Sequence, residues 1–240
     1  MLKTAEIMPL TGALGAEVSG VQLADLVKRN DSSNAEQLFQ MLVENKVLVF
    51  RDQHPDPQTH VDVAKLIGDL APAVPMYPKV AGYEDIIIIR NDDDNPPENE
   101  VWHADMTYRE VPIFASVLHG VHIPPVGGDT IFADMYAAYD GLDEKIKAKI
   151  DDAKAVHVWP DGWVSMIMKS QNLDKDEFWR RYPNPEHPVI RTHPQTGRRS
   201  LFVNAAFTRQ IVGMEKSESD LLLAFLYSQA AIPEYQCRFR

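Results

Sequence analysis

An antiparallel double-sheet barrel with helices packed on one side is the architecture that this 240-residue sequence predicts. Segments of extended type come in runs rather than alternating with helices. Helical patterns gather at the N-terminal end and in the insertions. No βαβ alternation is present, which sets aside a doubly wound parallel sheet. The predicted class is therefore α+β, mainly β. No linker composition interrupts the chain, so residues 1–240 are expected to form a single domain.

Residues 1–30 are punctuated by Gly12, Gly15 and Gly20 between short apolar pieces, the pattern of one or two strands with turns. From Ser33 to Lys46 the apolar residues Ala35, Leu38, Phe39, Leu42 and Val43 recur at offsets of three and four, predicting an amphipathic helix. Val47 to Phe50 reads as a short buried strand. Asp56-Pro57 supplies a side-chain acceptor followed by proline in the first turn, a helix start that should run on to about Leu70. Four consecutive isoleucines, Ile86 to Ile89, predict a strand buried on both faces. A second strand is expected from Ile113 to Ile123, between Pro112 and Pro124-Pro125, and the sheet resumes at Thr130-Ile131-Phe132. Asp140 to Ile150 has a helical stripe of Leu142, Ile146 and Ile150. The Trp- and Met-rich stretch Val156 to Pro183 reads as satellite core rather than a pocket. Pro188 to Asn204 is a hairpin turning at Pro194–Arg198. Ser217 should cap a helix to Gln229 that buries Leu221, Leu222, Phe225 and Leu226, and Tyr235 to Arg240 alternates as a half-buried strand.

Composition narrows the function. A net charge of −11 argues against nucleic acid or an anionic membrane surface as the main partner, while leaving room for a local basic pocket for a small anion. One cysteine, Cys237, excludes a disulfide framework and a thiolate metal cluster. No apolar run reaches the roughly 18 residues needed to span a bilayer, so a soluble cytoplasmic protein is expected. An exposed sheet edge on an acidic chain points to homo-oligomer formation as an option.

The chemistry concentrates in NDDDNPPENEVWHADMTYR, Asn91 to Arg109. On an extended strand His103 and Asp105 would share one face, because side chains alternate with period two. One imidazole and one carboxylate, joined by a second histidine from elsewhere, make the facial triad of non-haem Fe(II) oxygenases. Such a tripeptide also arises by chance, and a surface histidine beside an unrelated aspartate is the competing reading on spacing alone. For the third ligand, His119 reads as a hydrogen-bonded core residue, His187 and His193 as turn residues, and His54 and His60 as exposed. His157 is the only mild candidate.

With WHAD placed after NPPEN, the chain resembles the taurine dioxygenase (TauD/TfdA) family of Fe(II)/2-oxoglutarate-dependent dioxygenases. The resemblance covers most of the sequence: PLTGALGAEVSGVQL near the start, VLVFRDQ, NPPENEVWHADMTY, PPVGGDTIFADMYAAYDGL, HPVIRTHPQTGRRSLFVNAAFT, and PEYQCRFR. It implies a double-stranded β-helix (jelly-roll) core and an oxidoreductase that uses Fe(II), with 2-oxoglutarate and O2 as cosubstrates. The substrate implied is a small molecule of anionic class: a sulfonate, an alkyl sulfate or an aryloxy acid. By the same resemblance His103 and Asp105 are iron ligands and catalytic residues, and Thr130 binds a 2-oxoglutarate carboxylate. Tyr77, Asn99, Trp163 and Phe207 fall where the family lines its substrate pocket.

Two departures qualify these expectations. Taurine-specific members place a histidine against the sulfonate where this chain has Gly68-Asp69-Leu70-Ala71-Pro72-Ala73-Val74-Pro75, so taurine itself is not the expected substrate. The family also continues past the last strand into a segment bearing the distal histidine ligand and an arginine for 2-oxoglutarate. The sequence ends before these, and is expected to be a C-terminally truncated form. The rival to the enzyme reading is a non-catalytic fragment or binding module that keeps the fold without the third ligand.

Overall fold

The computed structural model describes the chain except for residues 1, 3, 4, 30, 73, 75, 76, 95, 97–100 and 240. The N-terminal layer is a three-stranded sheet. β1 (Glu6–Pro9) pairs antiparallel with β2 (Ala16–Ser19), and after two helices, α1 (Leu23–Arg29) and α2 (Ser32–Asn45), β3 (Leu48–Val49) joins β2 in parallel. The helix from Ser33 thus forms as its periodicity requires, capped by Asp31, whose carboxylate accepts from Ser33 N. Leu38 and Met41 pack it onto Val18, Val21 and Leu26. The helix over Leu23–Arg29 had no signal in the glycine-punctuated stretch. α3 (Pro57–Lys65) starts as expected, with Asp56 accepting from Thr59 N at 2.7 Å, and stops five residues short of Leu70.

β4 (Lys79–Val80) and β5 (Tyr83–Ile87) form a two-stranded ladder. The isoleucine run is not buried on both faces: the strand ends at Ile87, and Ile88 and Ile89 are exposed. A ladder of two strands has too few neighbours to cover both sides. The predicted strand from Ile113 to Ile123 is also corrected. Residues 101–129 contain no strand, and Val111, Leu118, Val121 and Val126 are exposed, Val121 at 86%. Residue preference for extended structure does not make a strand when no neighbouring chain takes up its N–H and C=O groups.

The central body begins at β6 (Thr130–Ala133), followed by α4 (Met135–Asp140), α5 (Glu144–Ile150) and β7 (Lys154–His157). The helix expected over 140–150 begins only at Glu144, where Asp143 caps it by accepting from Lys145 N, and a separate helix not read from the sequence, α4, ends at Asp140. Gly141 lies at the break, where a Cβ would collide with the Tyr235 hydroxyl. Next come α6 (Asp161–Gln171), α7 (Lys175–Arg181), β8 (Glu186–Pro188), β9 (Ile190–Thr192) and β10 (Arg199–Leu201). β9 and β10 make the expected hairpin, with Thr192 opposite Arg199. β11 (Thr208–Ile211), α8 (Lys216–Ser228) and β12 (Gln236–Phe239) complete the order. The sheet β11-β7-β8 is antiparallel throughout, and β12 pairs with β6 so that Phe239 faces Thr130.

The main core lies between this sheet, the hairpin, α4, α5 and α8, with Ile150, Val189, Ile211 and Leu226 buried within it. α8 is capped by Glu215, not Ser217, and turns Ser219, Leu222, Leu223 and Leu226 inward while Leu221 and Phe225 are exposed. Helical residues outnumber strand residues among the described ones, so the chain is mixed α/β rather than mainly β. Among the described residues the strands are short and divided among five small sheets. No helix among the described residues is long and apolar enough to cross a membrane.

Candidate active site

His103 and Asp105 do converge, but on a turn rather than on a strand. The backbone at 101–104 has no ladder partner among the described residues, and residues 105–108 form a turn closed by the Arg109 N–H donating to the Met106 carbonyl at 3.0 Å. Met106 adopts φ of 57°, in the left-handed region that side chains avoid. This reversal, which period-two alternation does not anticipate, brings the side chains together. His103 Nε2 lies 3.4 Å from Asp105 Oδ1. Two ligands at about 2.1 Å from one ion and at right angles are about 3.0 Å apart, so a small relaxation suffices for both to reach one cation.

Hydrogen bonds prepare the pair. His103 Nδ1–H donates to the Val101 carbonyl at 2.9 Å, leaving the Nε2 lone pair toward Asp105. That backbone tether is the usual way a ligating histidine is oriented. The Ser116 hydroxyl donates to the other carboxylate oxygen at 2.8 Å. In the absence of a cation, the hydrogen bond to Asp105 raises the His103 pKa above its ordinary value, against the opposing effect of burial. The same bond to His103 lowers that of Asp105, helped by Ser116. Both side chains keep solvent access, 30% for His103 and 51% for Asp105. A shallow cavity of about 160 Å³ opens beside Asp105, with Thr107, Phe114, Ser116 and Phe202 in its walls.

One imidazole nitrogen and one carboxylate oxygen suit ferrous iron. No group of three His, Cys, Asp or Glu able to hold a metal exists among the described residues. His157, the mild candidate for a third ligand, is fully buried, with Nδ1 2.9 Å from the Thr107 hydroxyl. His187 is also buried, donating to the Thr107 and Arg109 carbonyls, and does not serve a turn. His119 is exposed rather than in the core. His193 accepts from Gln195 N and does serve its turn. His60 is half-buried and bonded to the Val117 carbonyl.

Beyond the turn at Met106 lies an aromatic cluster built largely from the Trp- and Met-rich stretch. Trp159, Ile167 and Phe178 bury themselves with Met106, Tyr108 and Phe207, and Tyr77 and Trp163 pack against them. Trp163 is 6.2 Å from Tyr77, 5.6 Å from Tyr108 and 6.3 Å from Phe207. Three of the four expected pocket residues are thus gathered at one place; the fourth, Asn99, lies outside the described residues. Sequence reasoning passed over Tyr108 and Trp159. Their Oη and Nε1 are buried without a hydrogen-bond partner, and their rings are 4.2 Å apart. Burial lifts the Tyr108 phenol to about 12. Thr130 is half-buried at the start of β6, as expected, and is not part of this cluster.

A larger cavity of about 510 Å³ holds none of the predicted residues. Its cations are paired, Lys46 with Asp134 at 3.0 Å and Arg198 with Asp140 at 3.1 Å, leaving no surplus positive charge for an anion.

Comparison with known proteins finds relatives along nearly the whole chain. The alkylsulfatase of Acinetobacter baylyi is 32% identical over 240 residues, covering 98% of this chain and 74% of that protein. The (S)-phenoxypropionate/alpha-ketoglutarate-dioxygenase of Sphingobium herbicidovorans is 33% identical over 237 residues, covering 95% and 80%. A crystal structure of a taurine dioxygenase from Burkholderia xenovorans superimposes with a TM-score of 0.79 at 30% identity, covering 98% of this chain and 76% of the other. A family model matches residues 6–240, and on that match, with His103 and Asp105 paired within it, the chain belongs to the taurine catabolism dioxygenase TauD, TfdA family.

Proposed function

We propose that this chain is an Fe(II)- and 2-oxoglutarate-dependent dioxygenase that hydroxylates a small anionic organic molecule. A sulfate ester or an aryloxy acid is the preferred class, with sulfonates next and taurine disfavoured. The observation that carries the reading is the His103–Asp105 pair, with Nδ1 tied to a carbonyl and Nε2 turned toward the carboxylate. The activities named for the Acinetobacter and Sphingobium relatives support the substrate class. We assign the whole chain to one domain with a jelly-roll core.

Fe(II) held by His103 and Asp105 would supply the O2 activation that couples conversion of 2-oxoglutarate to succinate and CO2 with hydroxylation of a substrate C–H bond. The chain's own residues bind and orient. Ser116 donates to Asp105 and so favours its ionised form. Thr130 offers a hydroxyl to a cosubstrate carboxylate. Tyr77, Trp163 and Phe207 wall the substrate and exclude water, and Asn99 is assigned to its head group.

The test is succinate formation dependent on Fe(II), 2-oxoglutarate and substrate, across a panel of alkyl sulfates, aryloxy acids and sulfonates. Anaerobic spectra should show a charge-transfer band that Asp105→Ala abolishes. An Asp105→Ala protein that binds iron and turns over as the wild type does would sink the assignment.

A further inference from the structure

The turn that carries Asp105 is held in place by buried polar side chains. Met106, the next residue, pays for its left-handed backbone with about 1–3 kcal/mol, and such a conformation persists only where the surroundings over-determine it. The surroundings here are polar and buried. The Thr107 hydroxyl accepts from Asn204 Nδ2 at 3.1 Å and donates to His157 Nδ1 at 2.9 Å. The remaining nitrogen of His157 lies 3.3 Å from the Thr208 hydroxyl, which in turn accepts from Asn204 N. Asn204 Oδ1 accepts from Phe207 N, so both polar atoms of its side chain are engaged. His187 Nε2–H forks between the Thr107 and Arg109 carbonyls, both at 2.9 Å.

These partners come from well-separated parts of the central body: His157 ends β7, His187 sits in β8, and Asn204 precedes β11. All are buried in the core. By contrast, among the described residues the only side chain that fixes the Asp105 carboxylate besides His103 is Ser116, on an exposed segment with no ladder. The direction in which Asp105 leaves the backbone is therefore set from the other side, through residues 106 and 107.

We propose that Thr107, Asn204, His157 and His187 form a clamp that positions Asp105 for metal binding, with Thr107 as its pivot. The clamp rests on the metal reading above, and its members act on the ion through the placement of Asp105. Removing a group that orients a metal ligand typically weakens metal affinity by about 10–100-fold.

Thr107→Val keeps the shape and deletes the hydroxyl, whereas Thr107→Ser keeps the hydroxyl; Asn204→Ala is a second way to break the same bond. Three measurements on the full chain separate positioning from simple stability: Mn(II) affinity by electron paramagnetic resonance of the free ion, amide hydrogen exchange, and the melting temperature. Thr107→Val and Asn204→Ala should weaken Mn(II) binding at least tenfold and speed exchange at residues 103–107 about tenfold, while exchange in the β9–β10 hairpin is unchanged. Thr107→Ser should restore both. The clamp is overturned if exchange at 103–107 stays at the wild-type rate, or if it rises only in step with the hairpin as the whole protein loosens. Equal Mn(II) binding by wild type and Asp105→Ala would overturn the metal reading instead, with the clamp then judged on exchange alone.

Discussion

His157 should make this protein acid-sensitive well above the range where carboxylates titrate. Its ring is fully buried, 4.9 Å from His187, and Arg209 adds a further positive charge nearby. Burial, chiefly, then those two neighbours, push its pKa down from 6.5 to about 3. A histidine in the unfolded chain takes up its proton near pH 6.5, whereas the folded one resists it until about pH 3. The unfolded state therefore binds more protons across that window. The contribution is fully present above pH 6.5 and is lost as pH falls toward 3. One proton corresponds to about 1.4 kcal/mol per pH unit, so lowering the pH from 6.5 to 5 should remove about 2 kcal/mol through His157 alone. His187, its pKa also lowered mainly by burial, adds to the same slope. Urea unfolding followed by tryptophan fluorescence at pH 7, 6 and 5 measures it, with His157→Gln for comparison. The variant should be less stable at pH 7 and show a shallower pH dependence. Identical slopes for the two proteins would refute the claim that a neutral buried imidazole is responsible.

Further expectations follow from groups already placed. Tyr108→Phe removes a buried hydroxyl without a partner, and an unsatisfied group of this kind costs about 1–3 kcal/mol. The variant should therefore unfold at higher urea in the absence of substrate, by about 1 kcal/mol, and a loss of stability would show that the hydroxyl is satisfied after all. Asp134 caps α4 through Tyr136 N and Ala137 N and pairs with Lys46 while almost fully buried. Asp134→Ala should cost about 2–3 kcal/mol, the cap and the stranded ammonium together; a change under 1 kcal/mol in equilibrium unfolding would contradict this. Gly141→Ala drives a methyl into the Tyr235 hydroxyl, and a calorimetric melt should show destabilisation that Tyr235→Phe partly relieves.

What the residues announce, and what they conceal, divides along the range of the interactions. α2, the Asp56-Pro57 start of α3, the β9–β10 hairpin and the alternating β12 depend on neighbours a few positions away, and each forms where its pattern places it. Strands at Ile86–Ile89 and Ile113–Ile123 depend on a neighbouring chain to complete their hydrogen bonds, which no local pattern can report. The same holds for the face of α8, where contact with β11, including Ser219 Oγ accepting from Ile211 N, rotates the buried stripe away from Leu221 and Phe225. At the site, the approach of His103 to Asp105 could be expected from their spacing, but the turn that produces it could not. The turn at Met106 is imposed by His157, His187 and Asn204, 50 to 97 residues further on. The aromatic stretch 156–183 forms the satellite core expected of it, with Trp159, Ile167 and Phe178 buried.

The hydroxyl of Ser116 ties the Asp105 carboxylate to an apolar ribbon that water largely surrounds. Free-energy coupling runs equally in both directions. Any contact that quiets residues 112–118 would sharpen the grip on an ion, and an ion that engages Asp105 would in return help to settle the ribbon. The order of this exposed stretch and the affinity of Asp105 for any cation then become two readings of one equilibrium.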